Sequence, residues 1–221
     1  MASTSFDTPL LEIGLRLDET RQFLAYLDNL RNHPRSAELA RTSRAWAYVA
    51  IAAAFEEFVR AFTDEVTQHI NRAGLPALSL KLGIVSLMNA GAFDAAAAGR
   101  NQAMWDRRLE VMRAAESAVV VPLLQGVRPL DGRTIRMRHL QTIWGTFEFP
   151  GSPVPGPLHA LALKDLADGR NEVAHGNSDP VAFGRTKTYA DVLRRIAQVE
   201  DIAVHMAAAA AAYVAQAGYR R

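Results

Sequence analysis

The chain has 221 residues, a formal charge of +2, 49% hydrophobic and 22% charged residues, the make-up of a globular protein rather than a disordered or membrane one. With no cysteine, disulfides, thiol nucleophiles and thiolate metal sites are excluded. Residues 1–8 lack the basic flank and apolar run of a secretion signal. No apolar stretch reaches the ~20 residues of a membrane span, and the run over 45–55 is closed by Glu56 and Glu57. One domain over 1–221, cytoplasmic and with no membrane partner, is the expectation.

Taken in order, the spacing predicts helices almost throughout. Leu10, Ile13, Leu17, Phe23 or Leu24, Leu27 and Leu30 recur at helical intervals over 10–32, and His33-Pro34 breaks that helix. A second helix opens near Ser36 and runs to about Asn71 through Trp46, Val49, Ala53, Phe58, Phe62, Val66 and Ile70. Its first half is apolar nearly all round, as a helix in the middle of a bundle must be. Ala73-Gly74-Leu75-Pro76 stops it.

The middle is less decided. Residues 78–88 suit a helix or a short buried strand, which periodicity does not separate, and the alanine-rich 92–99 is equally open. Residues 102–124 read as a helix with Pro122 near its end. Between Arg100 and Arg138 eight arginines (100, 107, 108, 113, 128, 133, 136, 138) stand against four acids. Such an excess suits a polyanion, or simply a solvated face with arginines beside acids.

Asp131-Gly132 marks a turn, 134–144 a shorter helix, and 147–157 a linker with three prolines and two glycines within seven residues. A helix over 158–174 carries Leu158, Leu161, Leu166 and Val173 as its buried stripe. His175-Gly176-Asn177 ends it, Gly176 suiting a left-handed cap. The last helix spans about 189–217, and its alanines 207–212 let a neighbour approach closely. Five main helices around a variable middle (about 75–130) fit an all-α bundle.

Several chemistries lack their residues. The six histidines (33, 69, 139, 159, 175, 205) are scattered singly, without the clustering of a zinc site, so no metal and no cofactor is expected. Gly126 and Gly132 lack the strand and helix of a phosphate-binding loop. A Ser-His-Asp triad assembles only in the fold, and no nucleophile elbow is present.

One constellation remains. The string Asp168-Gly169-Arg170-Asn171-Glu172-Val173-Ala174-His175-Gly176 resembles the signature of HEPN domains, an Arg followed after four to six residues by a His, often with a polar residue beside the Arg. The apolar helix through Arg44-Ala45-Trp46 and Phe55-Glu56-Glu57-Phe58 is similar to that of the larger HEPN proteins, above all the RiboL-PSP-HEPN and MAE-type groups. The likeness is specific over 41–62 and 158–177 and architectural elsewhere. It implies a HEPN-like helical bundle, a homodimer with a composite cleft, and metal-independent RNA cleavage that leaves a 2′,3′-cyclic phosphate. Toxin or defence systems, with RNA as substrate and an antitoxin as possible regulator, are the implied setting.

Physically, residues five apart on an ideal helix lie about 140° apart. Arg170 and His175 therefore diverge on one straight helix, whereas Asn171 and His175 share a face. The three meet only if the helix ends at His175 or if two chains pair their motif helices. In such a cleft His175 can move a proton at neutral pH, Arg170 can match a phosphate, and Asn171 can orient the histidine or hold a phosphate oxygen. A purely structural reading is open as well: His175 on the helix dipole, and Arg170 paired with Asp165, Asp168 or Glu172. By the same token Glu56 or Glu57 suits a partnership with Arg44, and His205 a packed core position. A ribonuclease and a non-catalytic RNA- or protein-binding module of the same type are thus both candidates.

Overall fold

A computed structural model describes residues 6–29, 34–132 and 134–221. These form helices α1 (Asp7–Asn29), α2 (Pro34–Arg72), α3 (Leu82–Met88), α4 (Ala90–Ala98), α5 (Asn101–Ala115), α6 (Met137–Phe147), α7 (Pro157–Ala174), α8 (Pro180–Arg185) and α9 (Tyr189–Ala215), with a 3-10 turn at Ala77–Ser79. The described residues contain no strand, only an isolated bridge between Leu80 and Arg220, so the protein is all-α. None of the described helices is long and apolar enough to cross a membrane. The expected break at His33 and the patch residue Arg133 lie outside the described residues.

Helix α2 is the axis of the bundle. It packs against α1, α7, α8 and α9, which is why Ala45, Tyr48, Ile51, Phe55, Val59, Phe62 and Val66 are all buried. Burying each large side chain contributes roughly 1.5–3 kcal/mol. Beyond its midpoint an aromatic cluster fills the junction with α6 and α9. Phe62 stacks on Trp144, and Phe149 lies 4.8 Å from Trp144 and 4.6 Å from Tyr213. The Tyr213 hydroxyl donates to the Phe147 carbonyl at 2.6 Å, satisfying a buried polar group at the α6 terminus.

The middle segment divides in two. Helix α3 belongs to the core through Ile84, Val85 and Leu87, and it reaches α6 so closely that a Cβ on Gly83 would stand 2.1 Å from the Thr146 carbonyl oxygen. Helices α4 and α5 pack chiefly on each other, and α4 buries nothing. The expected helix over 102–124 stops at Ala115. The Val119-Val120-Val121 run is β-branched and disfavours helix, and Pro122 cannot donate to one, so 117–132 forms a crossing without regular structure. Asn71 holds this crossing, its side chain bonding both the N–H and the carbonyl of Leu123.

Helix α7 also departs from expectation. Its buried face comprises Ala162, Leu163, Leu166, Ala167, Gly169 and Val173. Leu158 and Leu161, expected in the stripe, are 68% and 62% exposed, because the first turns of α7 present them outward, away from α2 and α9. Gly169 is required where α7 meets α2 and α8: a Cβ there would lie 2.6 Å from the Tyr48 ring and 2.8 Å from the Phe183 ring.

Asp165 pins α7 from the side. Its carboxylate accepts from the Tyr48 hydroxyl of α2 (2.8 Å), from Lys187 (2.9 Å) and from Arg195 of α9 (2.7 Å). Burial alone would push this carboxyl up, but the bonds from Lys187 and Tyr48 and the charges of Arg195 and Lys187 hold it below the usual carboxylate range. A carboxylate depressed in the folded state stabilises the fold above its unfolded pKa, about 3.9, and loses that contribution as pH falls through the folded value. Asp165→Asn should therefore unfold at lower urea than the parent at pH 7, and the gap should narrow at pH 2.5. A gap independent of pH would show that the carboxylate charge does not hold α7.

Candidate functional site

Helix α7 begins with Pro157 at its first position, where the missing N–H is no loss, and ends at Ala174. His175 is its C-cap (φ −94°, ψ 3°) and Gly176 turns left-handed (φ +69°). The Gly176 N–H returns to the Val173 carbonyl and the Ser178 N–H to the Glu172 carbonyl, both at 3.2 Å, satisfying carbonyls a helix end would leave open. Asp179 then caps α8 by accepting from the N–H groups of Val181 and Ala182.

The helix ends where the spacing argument required. Arg170, Asn171 and His175 of one chain line a single cleft of about 520 Å³, so these three groups come together without a second copy. Across from them run Gly132, Thr134, Arg136 and Arg138, the approach to α6.

Two side-chain links bind this wall to α7. The Thr134 hydroxyl donates to Asn171 Oδ1 at 3.0 Å, and Arg136 pairs with Asp168 at 2.7 Å. Arg170 Nη1 reaches the same Oδ1 at 3.3 Å. With two donors converging on Oδ1, the amide is fixed in orientation and its NH₂ is left to donate elsewhere. Asp168 also accepts from Lys164 at 2.8 Å. Hydrogen bonds from Lys164 and Arg136 hold its carboxyl below the usual range.

His139 secures the start of α6 from beneath. The ring is buried, and its Nδ1 accepts from the Arg136 N–H at 3.0 Å. The ring proton must then sit on Nε2, which points at Asp131 Oδ1 at 3.2 Å. Arg138 Nε lies equally close to Nε2, at 3.2 Å, but two donors cannot share that hydrogen bond, so the carboxylate is its partner. Arg138 itself faces Asp131 at 3.4 Å and is 59% exposed.

Among the described residues, the charges in and around the cleft are thus the guanidiniums of Arg136, Arg138 and Arg170 against Asp131 and Asp168. Arg170 has no carboxylate partner among the described residues. Asp165 is engaged by Lys187 and Arg195, Asp168 by Arg136 and Lys164, and Glu172 by Ser178. Arg170 instead contacts Asn171 Oδ1. His175 is exposed, and its imidazole has no hydrogen-bond partner among the described residues.

Other expected residues fall elsewhere. Arg44 bonds the carbonyls of Gly184 and Lys187 and lies 4.0 Å from Asp28, so its partner is not Glu56 or Glu57. Neither glutamate lines the cleft. His205 is half-buried, bonding the Ser152 carbonyl at 2.8 Å, rather than packed in the core. The arginines of the arginine-rich segment are spread over α5, the crossing and α6. Arg107 pairs with Glu110, Arg108 lies over the Trp105 ring and Arg128 grips Asp64; of those described, Arg136 and Arg138 line the cleft. No group of three or more His, Asp or Glu side chains able to hold a metal ion forms among the described residues.

Thr134 was not legible as a site residue. Arg136 and Arg138 were visible only as members of a longer basic run. Thr134 and Arg136 precede α6 and Arg138 lies in its first turn, so no single periodicity in the sequence marks the three as neighbours.

No protein-family model, curated protein or solved structure matches this chain.

If the Thr134 hydroxyl holds Asn171, Thr134→Val should lower stability by about 0.5–1.5 kcal/mol, the net worth of one hydrogen bond. Urea unfolding reads this directly, and an unchanged midpoint would mean the strap is held by other contacts.

Proposed function

We propose that the cleft is the active centre of a metal-independent endoribonuclease of HEPN type. The observation that carries this is the ending of α7 at His175, which sets Arg170, Asn171 and His175 together in one cleft with Arg136 and Arg138. The resemblance of the Arg-Asn-x-x-Ala-His-Gly string supplies the reaction class. Toxin or defence proteins, acting on RNA in the cytoplasm under an antitoxin's control, are the setting that resemblance suggests.

In this reading an RNA phosphate sits among the guanidiniums. Arg170 stabilises the charge that grows on the phosphoryl oxygens as the 2′-oxygen attacks phosphorus, while the Asn171 NH₂ donates to one of those oxygens. His175 takes the proton of the attacking 2′-hydroxyl. The P–O5′ bond breaks, the 5′-oxygen gains a proton, and the products are a 2′,3′-cyclic phosphate and a 5′-hydroxyl. One imidazole serves one of the two proton transfers. The other falls to water or to His175 of a second copy in a homodimer.

A second reading, a non-catalytic RNA-binding module, is favoured by one observation. No group among the described residues orients the exposed His175 imidazole, whereas general bases are commonly positioned by a third group.

Incubation with RNA in excess EDTA separates the two. The parent should degrade RNA there, and His175→Ala should be slower by roughly 10²–10⁴-fold. Equal degradation by both proteins refutes the catalytic assignment. Binding without degradation by either supports the module.

A further inference from the structure

A groove of about 600 Å³ adjoins the cleft, within the ~300–1,000 Å³ typical of small-ligand sites. Its floor is apolar: Met137 at the start of α6, and Pro157, Ala160 and Leu161 from the first turns of α7. Its rim is basic, formed by Arg136, Arg138 and Lys164. The same two arginines, Arg136 and Arg138, line both the cleft and the groove, so the two adjoin along these side chains.

Such a surface asks for a ligand that alternates anionic and flat apolar parts. The exposure of Leu161 (62%) leaves a large aliphatic side chain facing solvent beside three cations. Asp168 neutralises part of that charge by bridging Arg136 and Lys164. Arg138 remains mostly exposed and pairs with Asp131 at 3.4 Å. Guanidinium planes and apolar side chains provide the faces on which unstacked bases rest.

We propose that this groove is a nucleobase subsite, holding a base of single-stranded RNA next to the phosphate bound in the cleft. The inference rests on the reading of the cleft as an RNA site and adds a requirement for an unpaired base. A base in duplex RNA cannot enter the groove without leaving its stack, so the groove selects single-stranded segments, loops or ends.

The test uses the full chain carrying His175→Ala, so that RNA is bound rather than cut. A fluorescein-labelled eight-nucleotide single-stranded RNA, its fully abasic counterpart and the same sequence as a duplex are titrated by fluorescence anisotropy. The single strand should bind roughly 5- to 10-fold more tightly than the abasic strand, the low end of what base stacking supplies because the groove offers guanidinium and aliphatic faces rather than an aromatic ring, and more tightly than the duplex. Leu161→Gln, neutral and at an exposed position, should remove most of that difference, and Leu161→Phe should keep or enlarge it.

Equal affinity for the abasic and parent strands overturns the inference, as does a base dependence indifferent to both Leu161 variants. A homodimer that Leu161→Gln dissociates also overturns it, assigning the groove to a contact between copies. Base-dependent binding by a protein that never cleaves RNA leaves the subsite standing and removes only the nuclease reading. No RNA binding by any form removes both.

Discussion

The long face of α2 that carries Tyr48, Ile51, Phe55, Val59, Phe62 and Val66 cannot stay in water, and the rest of the fold follows from covering it. Helices α1, α7, α8 and α9 all pack on it. The close passages in this covering use glycine: Gly169 meets Tyr48, and Gly184 stands where a Cβ would lie 1.9 Å from the Arg41 carbonyl oxygen. Asp165 adds a polar lock, drawing Tyr48, Lys187 and Arg195 onto one carboxylate of α7. The direction of α7, and so the place where its C-terminus emerges, is set by contacts on the side away from the cleft.

The site is made by joining that helix end to a segment with no regular structure. An irregular chain is ordinarily a poor platform for chemistry, but this one is tied at several points. Thr134 holds Asn171, Arg136 holds Asp168, and His139 accepts the Arg136 N–H while its other nitrogen faces Asp131. Each link uses a polar group that also shapes the cleft, so the local structure and the electrostatics of the site are specified by the same residues. The resulting cleft has an excess of guanidinium charge, a fixed amide and an exposed imidazole, a set suited to an anionic, phosphate-bearing ligand.

Much of the fold was legible because helices announce themselves by period and by their stops. Ala73-Gly74-Leu75-Pro76 and Gly176 end helices as their chemistry demands, and the apolar girth of α2 marked it as central. The misreadings share a cause, since pattern alone does not show which side of a helix meets a neighbour. Leu158 and Leu161 have the right period but face outward, and 116–124 has apolar residues whose β-branching and proline favour an extended path. The Arg170, Asn171 and His175 cluster was visible because it lies within one short string. Thr134, Arg136 and Arg138 were not, because they reach the cleft from a segment 32 or more positions earlier in the chain, and only the folded contacts show which basic residues of a long run stand together.

A cleft that cleaves RNA to leave a 2′,3′-cyclic phosphate must use the 2′-hydroxyl of RNA as its nucleophile. The most direct measurement is mass analysis of fragments from an oligoribonucleotide and from the same strand with 2′-deoxyribose at every position. Fragments ending in 2′,3′-cyclic phosphate from the ribose strand, with the deoxy strand intact, are the predicted result. Cleavage of both strands, or ribose fragments with 3′-hydroxyl ends, would contradict it.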